Sequence, residues 1–328
     1  MYKSEFNKKN IEKGEDCVKR YGYENNELIC DYLLFLQSGN SRMNYFLTLN
    51  NFFEFLRSNG RLKRVCRNIT VDDLRKINQK DIAKYIEYLS KDHKKTTIKQ
   101  SVQRLSSFWS YLVEAYDGFR NIVKLTPTAK IRAKNDKELK MPDKEAIEAL
   151  EKNIEDHSKN DKLKERNLAI IHLFLSSGLR INELSNLNID DIVINENGTS
   201  YLYTVRKGYY DDESCNKVYI FDSVVPYIKN WLEARKHMKV IDEEALFINS
   251  KGKRFAIEGI RQVFRDYNCS KVRITPHMLR HYYITKLYEA TGDIEFVQDQ
   301  CGHVKGSVIT GDVYISSADK NIGVLKNM

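Results

Sequence analysis

Residues 275–314 hold several side chains that could do chemistry together. Three of the chain's seven histidines lie there with one arginine and a late tyrosine, in the order His277, Arg280, His281, His303 and Tyr314. Arginine can bind two phosphate oxygens at once, histidine can transfer a proton, and a tyrosine hydroxyl can act as a nucleophile. The combination favours phosphoryl transfer, provided that the rest of the chain supplies further positive charge.

Two more basic residues precede this stretch at informative positions. Arg180 follows residues 166–175, which are apolar on nearly all sides and are therefore predicted to form a buried helix. An arginine at the end of such a helix is costly unless it is paired or functional. Lys207 lies in a long turn between two predicted strands, residues 200–205 and 217–221. Both residues could contribute charge to the same site.

Three motifs stand in a fixed order along the chain: Ser-Gly-Leu-Arg-Ile-Asn-Glu-Leu (177–184), Thr-Pro-His-Met-Leu-Arg-His (275–281) and Gly-His (302–303). With a lysine at a β-turn between the first two and a basic helical region ahead of them, they resemble the tyrosine recombinase (phage integrase) family. The resemblance extends over roughly residues 26–320 and favours the simple two-domain architecture of Xer-like and Cre-like members.

The resemblance implies a DNA strand transferase that needs neither metal nor ATP. Tyr314 would attack the phosphorus and form a 3′-phosphotyrosyl link, which conserves the energy of the phosphodiester for rejoining. Arg180 and Arg280 would clamp the phosphate, because charge grows on its oxygens in the transition state. No cofactor and no metal are expected, and the six cysteines contain no Cys-x-x-Cys pair that would suggest zinc.

The remaining catalytic positions would carry protons. His277 and His303 would hydrogen-bond the phosphate or relay protons, with His277 the expected acceptor of the tyrosine proton. Lys207 would protonate the departing 5′-oxygen. The family commonly places its nucleophile nine residues after the Gly-His histidine, whereas here the gap is eleven, with aspartate at position 312. We therefore expect a slightly extended loop before Tyr314.

Some of these residues also have a purely structural interpretation. Arg180 could simply pair with Glu183 or Asp191, and Glu183 fits structural support better than catalysis. Lys207 could be an ordinary hairpin lysine, since Arg206 is adjacent and the turn is long. His281 is interpreted as a supporting or core residue.

Composition agrees with a helical DNA-binding protein. The chain has 328 residues, enough for about two domains, and its four prolines and fifteen glycines favour long helices. Residues 1–140 carry 28 Lys and Arg against 17 Asp and Glu, so the net charge of +9 is concentrated in the N-terminal part. Such a concentration suggests a polyanionic partner. No apolar run is long enough to span a bilayer and no signal peptide is evident, which predicts a cytoplasmic, nucleoid-associated protein.

We predict a mainly α fold with a small antiparallel β-sheet in the C-terminal domain. Residues 1–25 form a leader, 26–125 a helical bundle that binds core DNA, 126–140 a linker and 141–328 the integrase-type catalytic domain. A third short strand is predicted at residues 246–248. The basic residues expected to contact DNA are Arg61, Lys63, Arg64, Lys94, Lys95, Lys99, Lys130, Arg132 and Lys134.

The expected partner is double-stranded DNA with an inverted-repeat core site, bound by a homotetramer that joins two sites, with no membrane. The C-terminal residues Ile322, Val324 and Leu325 are expected to dock on a neighbouring protomer. The sequence leaves open whether the protein integrates, excises or transposes a mobile element or resolves DNA, and whether an accessory protein sets direction. Two alternatives also stay open, a topoisomerase-like or telomere-resolving strand transferase and a DNA-binding relative without catalysis.

Overall fold

The computed structural model describes residues 12, 14–36, 39–131, 141–196, 199–205, 215–269 and 273–302. The chain divides into two compact units, Met1–Asp136 and Lys137–Met328, and this division lies within the segment 126–140 for which the sequence predicts a linker. Both units are built mainly from helices, and the second adds a small antiparallel sheet, which confirms the predicted fold class. None of the helices in the described ranges is long and apolar enough to cross a membrane.

The first unit is a helical bundle. After helical residues 14–20 come α1 (Glu27–Leu34), α2 (Gly39–Ser58), α3 (Val71–Arg75), α4 (Gln79–Asp92), α5 (Lys95–Ala115) and α6 (Ile122–Leu125). Two of these helices begin at capping boxes. The side chains of Thr70 and Asn78 each accept a backbone N–H, and their own backbone N–H groups donate to the carboxylates of Asp73 and Asp81.

Aromatic rings fill the centre of this bundle. The rings of Phe52 and Tyr85 meet edge to face at 5.0 Å, and Trp109 contacts both Phe52 and Phe108 in the same manner. Trp109, Phe52 and Phe108 are almost completely buried. The aromatic residues of these helix faces therefore serve mainly as core, as the helical period predicts.

The second unit surrounds one buried helix. Its helices are α7 (Lys144–His157), α8 (Asp161–Ser177), α9 (Ile181–Ser185), α10 (Val225–Lys236), α11 (Ile257–Tyr267), α12 (Pro276–Thr291) and α13 (Ile294–Cys301). Most of α8 between residues 166 and 177 is buried, and it packs against both α10 and α12. The prediction of a buried helix at 166–175 is confirmed, although His172 and Leu175 are half-buried. Because α8 ends beside α12, its C-terminus can deliver Arg180 to the helix that carries Arg280.

The sheet has three antiparallel strands in the order β1 (Ile192–Val193), β2 (Tyr201–Val205) and β3 (Cys215–Tyr219). Tyr201 pairs with Tyr219 and Val205 with Cys215, so the β2–β3 hairpin predicted from the sequence is present. Its second strand begins and ends two residues earlier than predicted.

The prediction of a third strand at residues 246–248 is wrong, because the third strand of the sheet is β1 (Ile192–Val193). Residues 245–248 are instead a buried segment whose hydrogen bonds go to loops and side chains. Leu246 N–H donates to the Leu187 carbonyl, and the indole N–H of Trp231 donates to the Leu246 carbonyl. Among the described residues, the strand pairing of this segment is limited to two isolated bridges, Ala245 with Asn188 and Ile248 with Arg254. A short apolar run fits a strand and a buried loop equally well, so the pattern could not separate them.

The half-buried carboxyl group of Glu151 in the second unit predicts a pH-dependent stability. Burial and the charges of Glu155 and Glu148 raise the pKa of Glu151 to about 7, whereas an unfolded glutamate titrates near 4.3. The folded protein therefore holds this proton more tightly than the unfolded chain does. The stability that the proton contributes is lost as the pH rises from the pKa of Glu151 in the unfolded chain to its pKa in the folded protein. Between pH 5 and 8 the free energy of unfolding of the wild type should fall, and Glu151→Gln is expected to make that fall smaller by about 1–2 kcal/mol. Urea unfolding at these two pH values measures it.

The matched control is Glu145→Gln, an exposed glutamate on the same helix, which should leave the pH dependence of the wild type unchanged. Comparing variant with wild type at each pH cancels the titrating groups that do not contact Glu151. His172 lies 3.5 Å from Glu151, and burial lowers its pKa to about 4, so its ring in the folded protein is neutral between pH 5 and 8. An unchanged pH dependence in Glu151→Gln would contradict the assignment of this carboxyl as the titrating group.

Candidate active site

A glycine places Arg180 at the end of α8. Gly178 caps the helix in the left-handed conformation (φ 57°), and a Cβ there would overlap the ring of Tyr283 on α12. Both the backbone conformation and the close approach therefore require glycine. The chain then turns, so that Arg180 becomes the N-cap of α9 and projects away from the buried helix.

Arg180 is held by an acidic partner three residues later. Its backbone N–H donates to Oε2 of Glu183 at 2.8 Å, and its Nη1 donates to Oε1 of the same carboxylate at 2.7 Å. Nη2 donates to the Gly302 carbonyl at 3.3 Å. The side chain is 33% exposed, whereas that of Glu183 is 4% exposed. The pairing with Glu183 that the sequence left open is therefore present, and it orients the guanidinium while leaving part of it accessible.

Arg280 reaches the same carboxylate from α12. Its side chain is 4% exposed, and its Nη1 lies 3.9 Å from Oε2 of Glu183. Nη1 donates to the Gly178 carbonyl at 2.5 Å, and Nη2 donates to the Cys301 carbonyl at 2.6 Å. Two guanidinium groups thus share one buried carboxylate, which leaves a net positive charge at this position.

Two histidines on α12 lie beside the arginines. His277 is exposed, and its Nε2 is 2.9 Å from Nε2 of His281, which is 8% exposed. Partial burial of the ring, followed by the positive charges of Arg280 and Arg180, lowers the pKa of His277. Burial, His277 and Arg280 together lower the pKa of His281 to about 4. Both rings are therefore neutral at neutral pH, and a neutral His277 can accept a proton.

The end of α13 completes the described part of the site. Gly302 caps this helix in the left-handed conformation (φ 59°). The last carbonyls, those of Cys301 and Gly302, accept hydrogen bonds from Arg280 and Arg180. One residue earlier, Oε1 of Gln300 accepts the backbone N–H of Tyr219 on β3 at 2.9 Å. One helical turn is therefore bonded to both arginines and to the sheet.

The structure brings together Arg180, His277 and Arg280, three of the six residues predicted to be catalytic. Lys207, His303 and Tyr314 lie outside the described residues, although β2 ends two residues before Lys207 and α13 ends two residues before His303.

Most of the basic residues predicted to contact DNA lie on the first unit and are exposed: Arg61, Lys63, Arg64, Lys94, Lys95, Lys99 and Lys130. Two of them have partners within the unit. Arg61 binds both oxygens of Asp81 at 2.8 and 2.9 Å, and Arg64 lies 4.0 Å from Asp73. Arg61 is therefore the least available of the set for a phosphate. Arg132 and Lys134 lie outside the described residues.

Sequence reasoning missed the groups that hold the arginines. They are backbone carbonyls of Gly178, Cys301 and Gly302, and carbonyls carry no signal in residue type. It also missed the bond from Gln300 to the sheet, which no motif marks. Among the described side chains, no group of three or more His, Cys, Asp or Glu residues lies close enough together to hold a metal ion.

This arrangement suits the binding and reaction of a phosphate. Two guanidiniums supply fixed positive charge, Glu183 fixes their direction, and the neutral ring of His277 is exposed beside them. Preorganised donors of this kind stabilise charge that develops on phosphate oxygens during transfer.

The chain is also similar to known proteins over most of its length. The model of the phage integrase family matches residues 121–321, more than half of the chain. The tyrosine recombinase XerS of Streptococcus agalactiae serotype III (strain NEM316) is 31% identical, over 80% of this chain and 83% of that protein.

Solved structures share the fold at lower identity. The XerH site-specific recombinase bound to difH substrate, in a pre-cleavage complex, superposes with a TM-score of 0.59 at 22% identity, covering 84% of this chain and 76% of XerH. The Tn1549 transposon integrase in complex with transposon right end DNA superposes with a TM-score of 0.58 at 17% identity, covering 85% of this chain and 99% of the integrase chain.

Proposed function

Because the chain belongs to the phage integrase family of tyrosine recombinases, we propose that it is a site-specific recombinase that cleaves and rejoins DNA through a 3′-phosphotyrosyl intermediate. The observation that carries the proposal is the convergence of Arg180 and Arg280 on the buried carboxylate of Glu183, beside a neutral His277. A catalytically silent DNA-binding protein has no need for such a preorganised pair of cations.

In the first step the hydroxyl oxygen of Tyr314 attacks the scissile phosphorus. The new O–P bond forms while the bond to the 5′-oxygen breaks, and His277 takes the tyrosine proton. Its lowered pKa keeps the ring neutral and ready to accept that proton. Arg180 and Arg280 stabilise the charge on the two non-bridging oxygens.

Lys207 and His303 complete the proposed set. Lys207 gives a proton to the departing 5′-oxygen, and His303 hydrogen-bonds the phosphate. Rejoining reverses these steps with a 5′-hydroxyl from the same or another duplex. The phosphotyrosyl bond keeps the energy of the original phosphodiester, so the cycle proceeds without ATP, and the arginines supply the charge that a metal would otherwise provide.

The first unit would hold the DNA near its core site through phosphate contacts. The exposed lysines at the start of α5, Lys94, Lys95 and Lys99, lie beside a helix N-terminus, where backbone N–H groups also favour anions. We expect an inverted-repeat site, with each half-site bound by one protomer. The function places the protein with the DNA of the cytoplasm, and an accessory protein could set its direction.

Assembly into a tetramer on two DNA sites is part of the proposal. An open apolar groove of about 440 Å³ lies on the second unit, lined in part by Phe221, Tyr283, Leu287 and Phe296. Phe221 is 45% exposed and Phe296 37%. We expect Ile322, Val324 and Leu325 of a neighbouring copy to cover this groove, because exposed apolar patches mark protein contacts.

The test uses suicide substrates that carry the inverted-repeat DNA site on which the protein acts. A nick beside the scissile phosphate lets a short fragment leave, so that a covalent protein–DNA adduct accumulates. The adduct is expected in the presence of a chelator and without ATP. A protein that binds its site yet forms no adduct would refute the enzymatic function.

A second assay separates recombination from the alternative of a topoisomerase-like or telomere-resolving enzyme. Two duplexes of different length, each carrying the site, are incubated with the protein. Strand exchange between them produces recombinant lengths and supports the recombinase. Adduct formation and rejoining without exchange would support the alternative, which shares the chemistry but does not change partners.

A further inference from the structure

Strand β3 lies at the edge of the sheet, and a glutamine from α13 bonds to that edge. Ile220 N–H donates toward β2, to the Ser200 carbonyl at 3.0 Å, so the preceding amide of Tyr219 points away from β2. That amide donates to Oε1 of Gln300 at 2.9 Å. Gln300 is 5% exposed, and a hydrogen bond at such a buried position is costly to remove.

The same helical turn bonds to the arginines. The residues after Gln300 are Cys301 and Gly302, whose carbonyls accept from Arg280 at 2.6 Å and from Arg180 at 3.3 Å. These contacts fix the end of α13 relative to the two guanidiniums. Gln300 extends that connection to the sheet, so the spacing between the sheet and the arginine pair depends on this residue.

The sheet leads directly to the proposed general acid. Five residue pairs join β2 to β3, from Tyr201 with Tyr219 to Val205 with Cys215, so the two strands move as one unit. Lys207 follows β2 by two residues. The anchoring of β3 therefore also limits where Val205, the last residue of β2, can lie.

We propose that Gln300 is a positioning residue for DNA cleavage, which holds the sheet at the spacing from Arg180 and Arg280 that proton transfer from Lys207 requires. The proposal rests on the proposed function. A displacement of about 1 Å at a reacting group can reduce a rate by about 10²-fold, so even a small shift of the sheet is measurable.

The test compares two leaving groups. One suicide substrate carries the natural 5′-oxygen at the scissile phosphate, and the other carries a bridging 5′-sulfur. A thiolate is a far better leaving group than an alkoxide and departs without a proton, so the second substrate does not need the general acid. Single-turnover adduct formation is measured on both, with the full-length protein.

Gln300→Met keeps the size of the side chain and removes the hydrogen-bond acceptor. We expect its rate to fall about tenfold or more on the oxygen substrate and to stay within about twofold of wild type on the sulfur substrate. Gln300→Glu retains an acceptor for the Tyr219 amide and should recover most of the rate. Gln298→Met is the matched control, since Gln298 lies on the same helix and is also buried, and it should not show this selective loss.

The variant Lys207→Ala distinguishes a failure of this inference from a failure of the proposed function. A slow Lys207→Ala that the sulfur substrate rescues confirms the lysine as the acid. If Gln300→Met is then equally slow on both substrates, or as fast as wild type on both, the positioning role of Gln300 is overturned and the proposed function stands. Lys207→Ala without rescue overturns the lysine assignment and the inference with it. Thermal unfolding confirms that each variant is folded before the rates are compared.

Discussion

Tyr314→Phe is expected to abolish the covalent protein–DNA adduct, with cleavage reduced at least about 10⁴-fold, while the affinity for the DNA site stays within about twofold of wild type. Phenylalanine retains the ring and lacks only the nucleophilic oxygen. No tyrosine follows Tyr314, and none lies between it and Tyr288, so no neighbour in sequence can replace it. Adduct formation on a suicide substrate and a gel-shift titration measure the two quantities.

Another tyrosine, on α12, provides the control. Tyr283 is 2% exposed and packs against Gly178, which makes it unsuitable as a nucleophile. Tyr288→Phe, on the same helix, should form the adduct at the wild-type rate. Mass spectrometry of the digested adduct should find DNA on the peptide that contains residue 314. Adduct that persists in Tyr314→Phe would disprove the assignment and require another nucleophile.

Replacing Arg180 or Arg280 should abolish efficient cleavage in both cases, but the two replacements should differ in how much they destabilise the protein. Arg180→Ala and Arg280→Ala are each expected to reduce adduct formation at least about 10²-fold, because each removes a donor to the transition-state phosphate. Arg280→Ala should also destabilise the protein by about 2–4 kcal/mol, because it leaves buried acceptors unsatisfied and removes a positive charge from beside a buried carboxylate. Those acceptors are the carbonyls of Gly178 and Cys301, and the carboxylate is that of Glu183.

Arg180→Ala should cost only about 1 kcal/mol, since its side chain is 33% exposed and Arg280 remains beside Glu183. Urea unfolding of both variants gives the comparison. Arg280→Lys keeps the positive charge and should still destabilise the protein, because one ammonium group cannot bind both carbonyls as a planar guanidinium does. Equal destabilisation by the two alanine variants would show that the buried contacts of Arg280 contribute little.

The sequence predicted the helical architecture and the meeting of Arg180, His277 and Arg280, because these features depend on side-chain pattern. The apolar run at 166–175 has one structural solution, a buried helix, and the break at Gly178 follows from its residue type. The motifs around Arg180 and Arg280 place both residues in one site, and the structure finds both beside Glu183.

What the sequence could not predict depends on backbone atoms and on long-range packing. The carbonyls of Gly178 and Cys301 accept from Arg280 whatever the neighbouring side chains are. The bond from Gln300 to Tyr219 depends on how α13 meets the sheet, which local pattern does not encode. The apolar run at 246–248 was assigned to a strand because burial alone does not distinguish a strand from a buried loop.

The bonds between arginines and carbonyls also bear on the order in which the protein acquires its activity. Arg280 and Gly178 are 102 residues apart in the chain, and Arg180 and Gly302 are 122 apart. Contacts of such long range form late in folding, because the entropy of closing a long loop must be lost before the contact can offset it. A growing chain on the ribosome has therefore made Arg180 long before its acceptor exists, and the proposed nucleophile is made later still. Incomplete translation products that end before α13 should bind DNA through their basic first unit without being able to cut it.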